Sequence, residues 1–157
     1  MSDADEHRKE ASELPEGDIV AILLRQHADI TEAMERVSGA DGEQLATDFE
    51  ALRSFLTAHE IAEQTVVRPV TQETASTDEA AARNAEEEQA DKALVELTRM
   101  GTHASGFKSA FAKFSKDVAD HAEKEEHEEF PTIQKSRSAE QRVQLGADFL
   151  DAFAKAS

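Results

Sequence analysis

From Ile19 onward the apolar side chains fall into a helical rhythm. Val20, Leu23, His27, Ile30, Met34 and Val37 recur in alternating steps of three and four, which keeps them on one stripe of a helix. The stretch SGADGEQ breaks that rhythm with two Gly. A second stripe runs through Leu45, Phe49, Leu52, Leu56, His59 and Glu63. Asp41 and Gln44 stand at capping-box spacing before it, and Pro69 marks its end or a kink. After the polar connection TQETASTDEA, in which Ser76 and Glu79 are placed to cap, a third helix is predicted over about 78–100, with Ala90, Leu94 and Leu97 on its apolar side. GTHASG ends it.

The fourth helix carries Phe107, Phe111, Phe114, Val118, His121 and Glu125 on one stripe. A fifth segment, about 139–155, follows a Ser138–Gln141 capping box and sets Val143, Ala147, Leu150 and Phe153 on one side. No segment sustains a two-residue alternation, and β-branched residues are sparse. The pattern predicts an all-α chain, an antiparallel up-down four-helix bundle with an additional C-terminal helix laid against it. Residues 1–17 are charged, lack helical periodicity and contain Pro15 and Gly17, which predicts a mobile acidic tail with His7 solvated. Residues 18–157 form the single domain, its core over 18–135 and its C-terminal helix over 139–155.

Two segments repeat one polar pattern. HEIAEQTVVRP at 59–69 and HAEKEEHEEFP at 121–131 each place a Glu four residues after a His and a Pro six residues after the Glu. His27, His59, Glu63, His121 and Glu125 all sit on stripes that face the core, where an unmatched charge or lone pair costs several kcal/mol. Either these groups pair with one another or with Lys and Arg, or they converge on divalent cations. His and Glu at i and i+4 lie about 6 Å apart on one helix face, within reach of one metal or two adjacent ones. Two such pairs and a further stripe His on separate helices favour the metal.

Composition narrows the chemistry. The chain has 157 residues and no Cys, so thiolate ligands and disulfides are excluded and any metal must be held by His and carboxylates. A formal charge of −17 repels phosphate backbones and anionic lipid, so neither nucleic acid nor a membrane surface is an expected partner. No apolar run approaches the roughly 20 residues that span a bilayer, and the N-terminus is not signal-like, which leads us to expect a cytoplasmic protein.

Taken with LLRQHADI around His27, HEIAEQ with His59 and Glu63, and HAEKEEHEEFP with His121 and Glu125, the chain resembles the hemerythrin-like HHE cation-binding domain family over roughly residues 18–135. The resemblance implies a four-helix bundle around a non-haem di-iron centre open to dioxygen, nitric oxide or peroxide. One feature departs from it. The family pattern supplies a His from the third helix, in a run similar to EEH with apolar residues seven and ten positions later, whereas this helix reads AEEEQADKALVEL. Setting Leu94 and Leu97 at those apolar positions puts Glu87 in place of the His, and stepping back along the stripe through Leu94 and Ala90 reaches Glu87 as well. Glu86 is the neighbour most able to replace it, and Asp91, one turn on, is a possible second carboxylate. Glu88, Gln89, His103 and His127 are expected in solvent.

The expected metal ligands are therefore His27, His59, Glu63, Glu87, His121 and Glu125, holding two non-haem iron ions, with manganese also admitted. Carboxylates can bridge two cations and, as hard anionic donors, favour the higher oxidation state of iron, which weighs against simple reversible oxygen storage. Phe49, Phe55, Phe111 and Phe114 are expected to limit water entry. With neither Tyr nor Cys in the chain, turnover would need an external electron donor or peroxide disproportionation. No output domain accompanies the bundle, which favours a peroxide- or nitric oxide-directed activity over a sensor. The alternative is a non-catalytic metal-storage or structural helical module.

Overall fold

A computed structural model describes residues 2–157. The elements are α1 (Asp3–Ser12), α2 (Ile19–Gly39), α3 (Gly42–Ala62), a π-helical turn (Glu63–Val67), α4 (Arg68–Thr74), α5 (Thr77–Met100), α6 (Phe107–Lys124), a second π-helical turn (Glu125–Glu129), α7 (Phe130–Ser136) and α8 (Ala139–Ala156). There is no strand among the described residues. The all-α bundle is as the periodicity predicts: α2 packs on α3, α5 on α6, and α2 on α6, while α8 lies against α3 and α2. Among the described residues no helix is long and apolar enough to cross a membrane.

The repeated His-Glu-Pro pattern has a backbone meaning. Proline has no N–H and its ring crowds the carbonyl four residues back, so it ordinarily ends a helix. Here each Pro follows a wide turn in which Arg68 N–H reaches back to Glu63 O, and Phe130 N–H to Glu125 O. That i→i+5 register inserts an extra residue into the turn, and the helix passes Pro69 and Pro131 without stopping. Both wide turns begin at a Glu of the repeated motif.

The core is divided in two. One apolar cluster gathers Ile30, Met34, Leu45, Phe49, Leu52, Leu56, Leu94, Leu97, Phe107, Phe111, Phe114 and Val118; the other gathers Ile19, Val20, Leu23, Leu24, Ala62, Val67, Val70, Phe130, Ile133 and Phe149. The stripes pass from one cluster to the other through His27, His59 and the His121–Glu125 stretch. A polar layer therefore crosses the bundle between two apolar halves.

Three expectations are corrected. Residues 3–12 are a helix with a Ser2–Asp5 capping box, packed on α2 through buried Ala4 and Ala11, and not a mobile tail. Helix α8 has its predicted Ser138–Gln141 capping box, but Val143 and Leu150 are exposed and Gly146 and Phe149 are buried. The reason is close approach: a Cβ on Gly146 would stand 1.9 Å from Gly17 O, so a glycine, which no hydrophobic stripe can reveal, faces the bundle. Asp41 makes no side-chain cap, and Gln44 instead donates to Asp48 Oδ1 at 2.8 Å.

Candidate metal centre

The polar layer contains all six expected ligands. His27 comes from α2, His59 from α3, Glu87 from α5 and His121 from α6, and Glu63 and Glu125 open the two π turns. All are buried except His121, whose side chain is 15% exposed and marks the open side. They form two overlapping groups, His27–His59–Glu63–Glu125 and Glu63–Glu87–His121–Glu125, each with donor atoms within 4.8 Å of one another. His59 Nε2 lies 3.1 Å from Glu63 Oε1, His27 Nε2 3.4 Å from Glu125 Oε1, and His121 Nε2 3.2 Å from Glu87 Oε2. Glu63 and Glu125 belong to both groups.

An outer layer orients the imidazoles. His27 Nδ1 donates to Glu126 Oε2 at 2.6 Å, His59 Nδ1 to Gln26 Oε1 at 2.7 Å, and His121 Nδ1 to Glu86 Oε1 at 2.8 Å. With the proton fixed on Nδ1, each Nε2 is turned toward the cluster, the arrangement a metal-bound imidazole needs. The supports interlock. Gln26 precedes His27 but holds His59, Glu86 precedes Glu87 but holds His121, and Glu126 follows Glu125 but holds His27. Glu86, considered above as a ligand, thus supports one, tied in turn to Lys124 at 2.7 Å and Arg83 at 3.1 Å. Asp91 is exposed and stands beside Glu60, outside both groups. His103 and His127 are exposed.

Arg68 is the residue that periodicity misses. Buried in the layer, it donates to Glu87 Oε2 at 2.7 Å, to Glu125 Oε2 at 3.1 Å and to Glu129 Oε1 at 2.9 Å, while Thr71 also donates to Glu129. An ordinary helix would turn a residue five positions after Glu63 away from it. The π turn brings Arg68 round to the same face.

Electrostatics follow from this crowding. Burial, reinforced by Glu125 and Glu87, raises the Glu63 carboxyl well above its ordinary range. Burial pulls His59 down to about 3, so it is neutral. Burial also opposes protonation of His27, but Glu125 and Glu126 outweigh it and lift His27 to about 9; Glu125 and Glu87 likewise lift His121 to about 11. Protons there stand where cations would. Such raised values stabilise the metal-free chain fully below the unfolded value of about 6.5, and that stability is lost as pH rises through about 9 and about 11. Cation binding displaces the same protons, so affinity climbs with pH. Thermal melting of the metal-free protein at rising pH is expected to show a falling midpoint, while manganese(II) titrations show tightening.

Whether these residues suit a metal is decided by atoms left over. His27 Nε2, both oxygens of Glu63 and Glu125 Oε1 are buried with no hydrogen-bond partner, and all point into the overlapping groups. Buried polar atoms are nearly always paired, and an unpaired one costs about 1–3 kcal/mol. Cations at this position would satisfy all four. The residues fit the group.

A cavity of about 380 Å³ opens onto the layer, lined by Ile30, Met34, Leu56, Phe114 and Val118 on its apolar side and by Glu60 together with His27, His59, Glu63, His121 and Glu125 on its polar side. Burial, with Asp91 and Glu87 nearby, pushes Glu60 up to about 10. Of the four Phe expected to limit water entry, Phe114 lines this cavity, whereas Phe49 and Phe111 lie within the apolar cluster and Phe55 packs at its edge against Phe153, with ring centroids 5.2 Å apart. The aromatic neighbours of the ligands are Phe130, stacked on His27 at 5.6 Å, and Phe149, edge-on to His59 at 6.1 Å.

A layer of three His and three carboxylates, inward-facing inside an antiparallel helical bundle, defines a cation-binding helical-bundle protein. The sequence matches the hemerythrin HHE cation-binding domain over residues 18–133, and the chain belongs to that family. Curated proteins and solved structures gave no significant match. The third-helix position is open to a direct check. Glu87→Ala is expected to lower the bound cation, whereas Glu88→Ala, at an exposed site, leaves it unchanged; elemental analysis of the two variants decides.

Proposed function

We propose that this chain is a non-haem di-iron protein that binds or reacts with dioxygen, peroxide or nitric oxide. His27, His59, Glu63, Glu87, His121 and Glu125 would hold the metals. The observation that carries the reading is the sharing of Glu63 and Glu125 between two donor groups whose orphaned atoms face one another. A carboxylate has two oxygens for two cations, whereas an imidazole whose Nδ1 is already bonded has one nitrogen left. Once bound, the iron pair would supply electrons and open coordination positions.

The chain itself governs access. Apolar walls at Ile30, Met34, Leu56 and Val118 suit small uncharged molecules, and the phenyl ring of Phe130 stacks on His27. Three carboxylates among six donors favour ferric iron, so we place the function with oxidative or nitrosative chemistry rather than reversible oxygen storage, and manganese suits the same donors. Electrons would come from outside a chain that has no Cys and no Tyr. The acidic surface leaves nucleic acid an unsuited partner.

Oxygen binding, peroxide decay and nitric oxide binding, assayed side by side on the iron-loaded protein, test this. Irreversible oxidation by dioxygen or consumption of peroxide is expected. Oxygenation that reverses over repeated cycles would contradict the carboxylate argument, and inertness toward all three would leave a storage module.

A further inference from the structure

The helix expected to be a tail reaches the metal centre. His7, on α1, donates from Nε2 to Glu126 Oε1 at 2.9 Å, and the other oxygen, Glu126 Oε2, accepts from His27 Nδ1 at 2.6 Å. His27 Nε2, at the far side of the same ring, is one of the orphaned atoms facing the donor cluster. A direct line of three side chains therefore joins the N-terminal helix to an inner donor. His7 Nδ1 has no partner, so the contact with Glu126 is the one hydrogen bond of its ring among the described residues.

The arrangement is particular to His27. The acceptors behind His59 and His121 are Gln26 on α2 and Glu86 on α5, both within the bundle, and neither is held by α1. Glu86 is held besides by Lys124 and Arg83, whereas Glu126, also part-exposed, has one bond from each His and no other. Without His7 it would be free to turn toward water. A metal-bound imidazole is oriented by the acceptor behind it, and losing such an acceptor commonly lowers metal affinity about 10–100-fold.

We propose that His7 is a positioning residue for the metal centre, acting through Glu126 on His27, so that docking of α1 and cation binding in the His27 half of the centre reinforce each other. The inference rests on the di-iron reading above. The coupling is reciprocal. A cation on Nε2 withdraws electron density from the ring and strengthens the Nδ1–H bond to Glu126, which fixes the acceptor for His7. By linkage, whatever factor the docked helix adds to cation affinity, the cation adds to docking.

Other contacts fasten α1 without touching this line. Ala4 and Ala11 are buried, and Arg8 bonds Asp29 at 2.8 Å and also Glu32. These give the control. Ferrous iron is titrated anaerobically into the full chain and into His7→Ala, His7→Gln and Arg8→Ala, and amide hydrogen exchange of residues 3–12 is followed with and without the metal. In the wild type, loading is expected to slow exchange in α1. His7→Ala is expected to weaken one of the two binding steps about tenfold and to abolish the metal-dependent slowing. His7→Gln, whose amide N–H can occupy the place of Nε2–H, restores most of both. Arg8→Ala speeds exchange overall but keeps the metal-dependent part.

Equal affinity in His7→Ala and wild type, or exchange in α1 that is indifferent to iron in the wild type, would overturn the proposal. So would identical losses in His7→Ala and Arg8→Ala, which would reduce α1 to a structural brace. A wild type that takes up no cation is a different result, overturning the di-iron reading and this one with it.

Discussion

Replacing Glu63 with glutamine is expected to abolish cation binding and, at the same time, to make the metal-free chain more stable. Glu63 belongs to both donor groups, so no cation keeps its full set when it is lost. In the metal-free chain, however, Glu63 is a liability. It is fully buried, both its oxygens lack partners, and Glu125 and Glu87 oppose its charge. An amide of the same shape removes the buried acid and its repulsions. The amide cannot ionise, so the gain is the cost of keeping the acid protonated, about 1.4 kcal/mol for each pH unit above the unfolded carboxyl value, read as a higher urea midpoint for metal-free Glu63→Gln than for metal-free wild type. The order of stability should invert once iron is added, because the ligand-bound wild type gains by mass action and the variant does not. A variant less stable than wild type without metal would show that Glu63 has a structural partner.

Arg68→Ala is expected to act in the opposite sense. Arg68 bridges Glu87, Glu125 and Glu129, and removing one partner from a buried ionic cluster costs about 3–5 kcal/mol because the remaining charges stay behind. Burial already raises Glu129 to about 7 even with Arg68 present. Denaturant unfolding of the metal-free variant should show this loss, and cations, which supply positive charge to Glu87 and Glu125, should recover part of it. The pair Arg68→Met with Glu129→Met removes both charges and should cost much less than Arg68→Ala alone. If the double substitution is as damaging as the single one, Arg68 matters for its packing.

The inner donors were legible because helical periodicity and function coincide in them. His27, His59, Glu63, His121 and Glu125 lie in register with Leu23, Leu56 and Val118, and a polar residue on an apolar stripe is conspicuous. Glu87 followed from the step back through Leu94. What supports those donors was hidden for physical reasons. Gln26, Glu86 and Glu126 sit one position from a ligand, where a helix usually faces water, and among 34 acidic residues nothing marks them out. Arg68 required knowledge of a π turn that its Pro hinted at but did not specify. Helix α1 packs through two alanines, too small to write a stripe, although its Ser2–Asp5 cap was present to be read. Gly146 faces the bundle through what it lacks.

The number of iron ions retained per chain tests the central claim most directly. The protein is loaded anaerobically with ferrous iron, desalted, and assayed for metal and protein together by elemental and amino-acid analysis. A shared pair of carboxylates between two donor groups predicts two ions per chain, falling to none in Glu63→Gln. A single ion that survives in Glu63→Gln, or no retained iron in a correctly folded wild type, would contradict it.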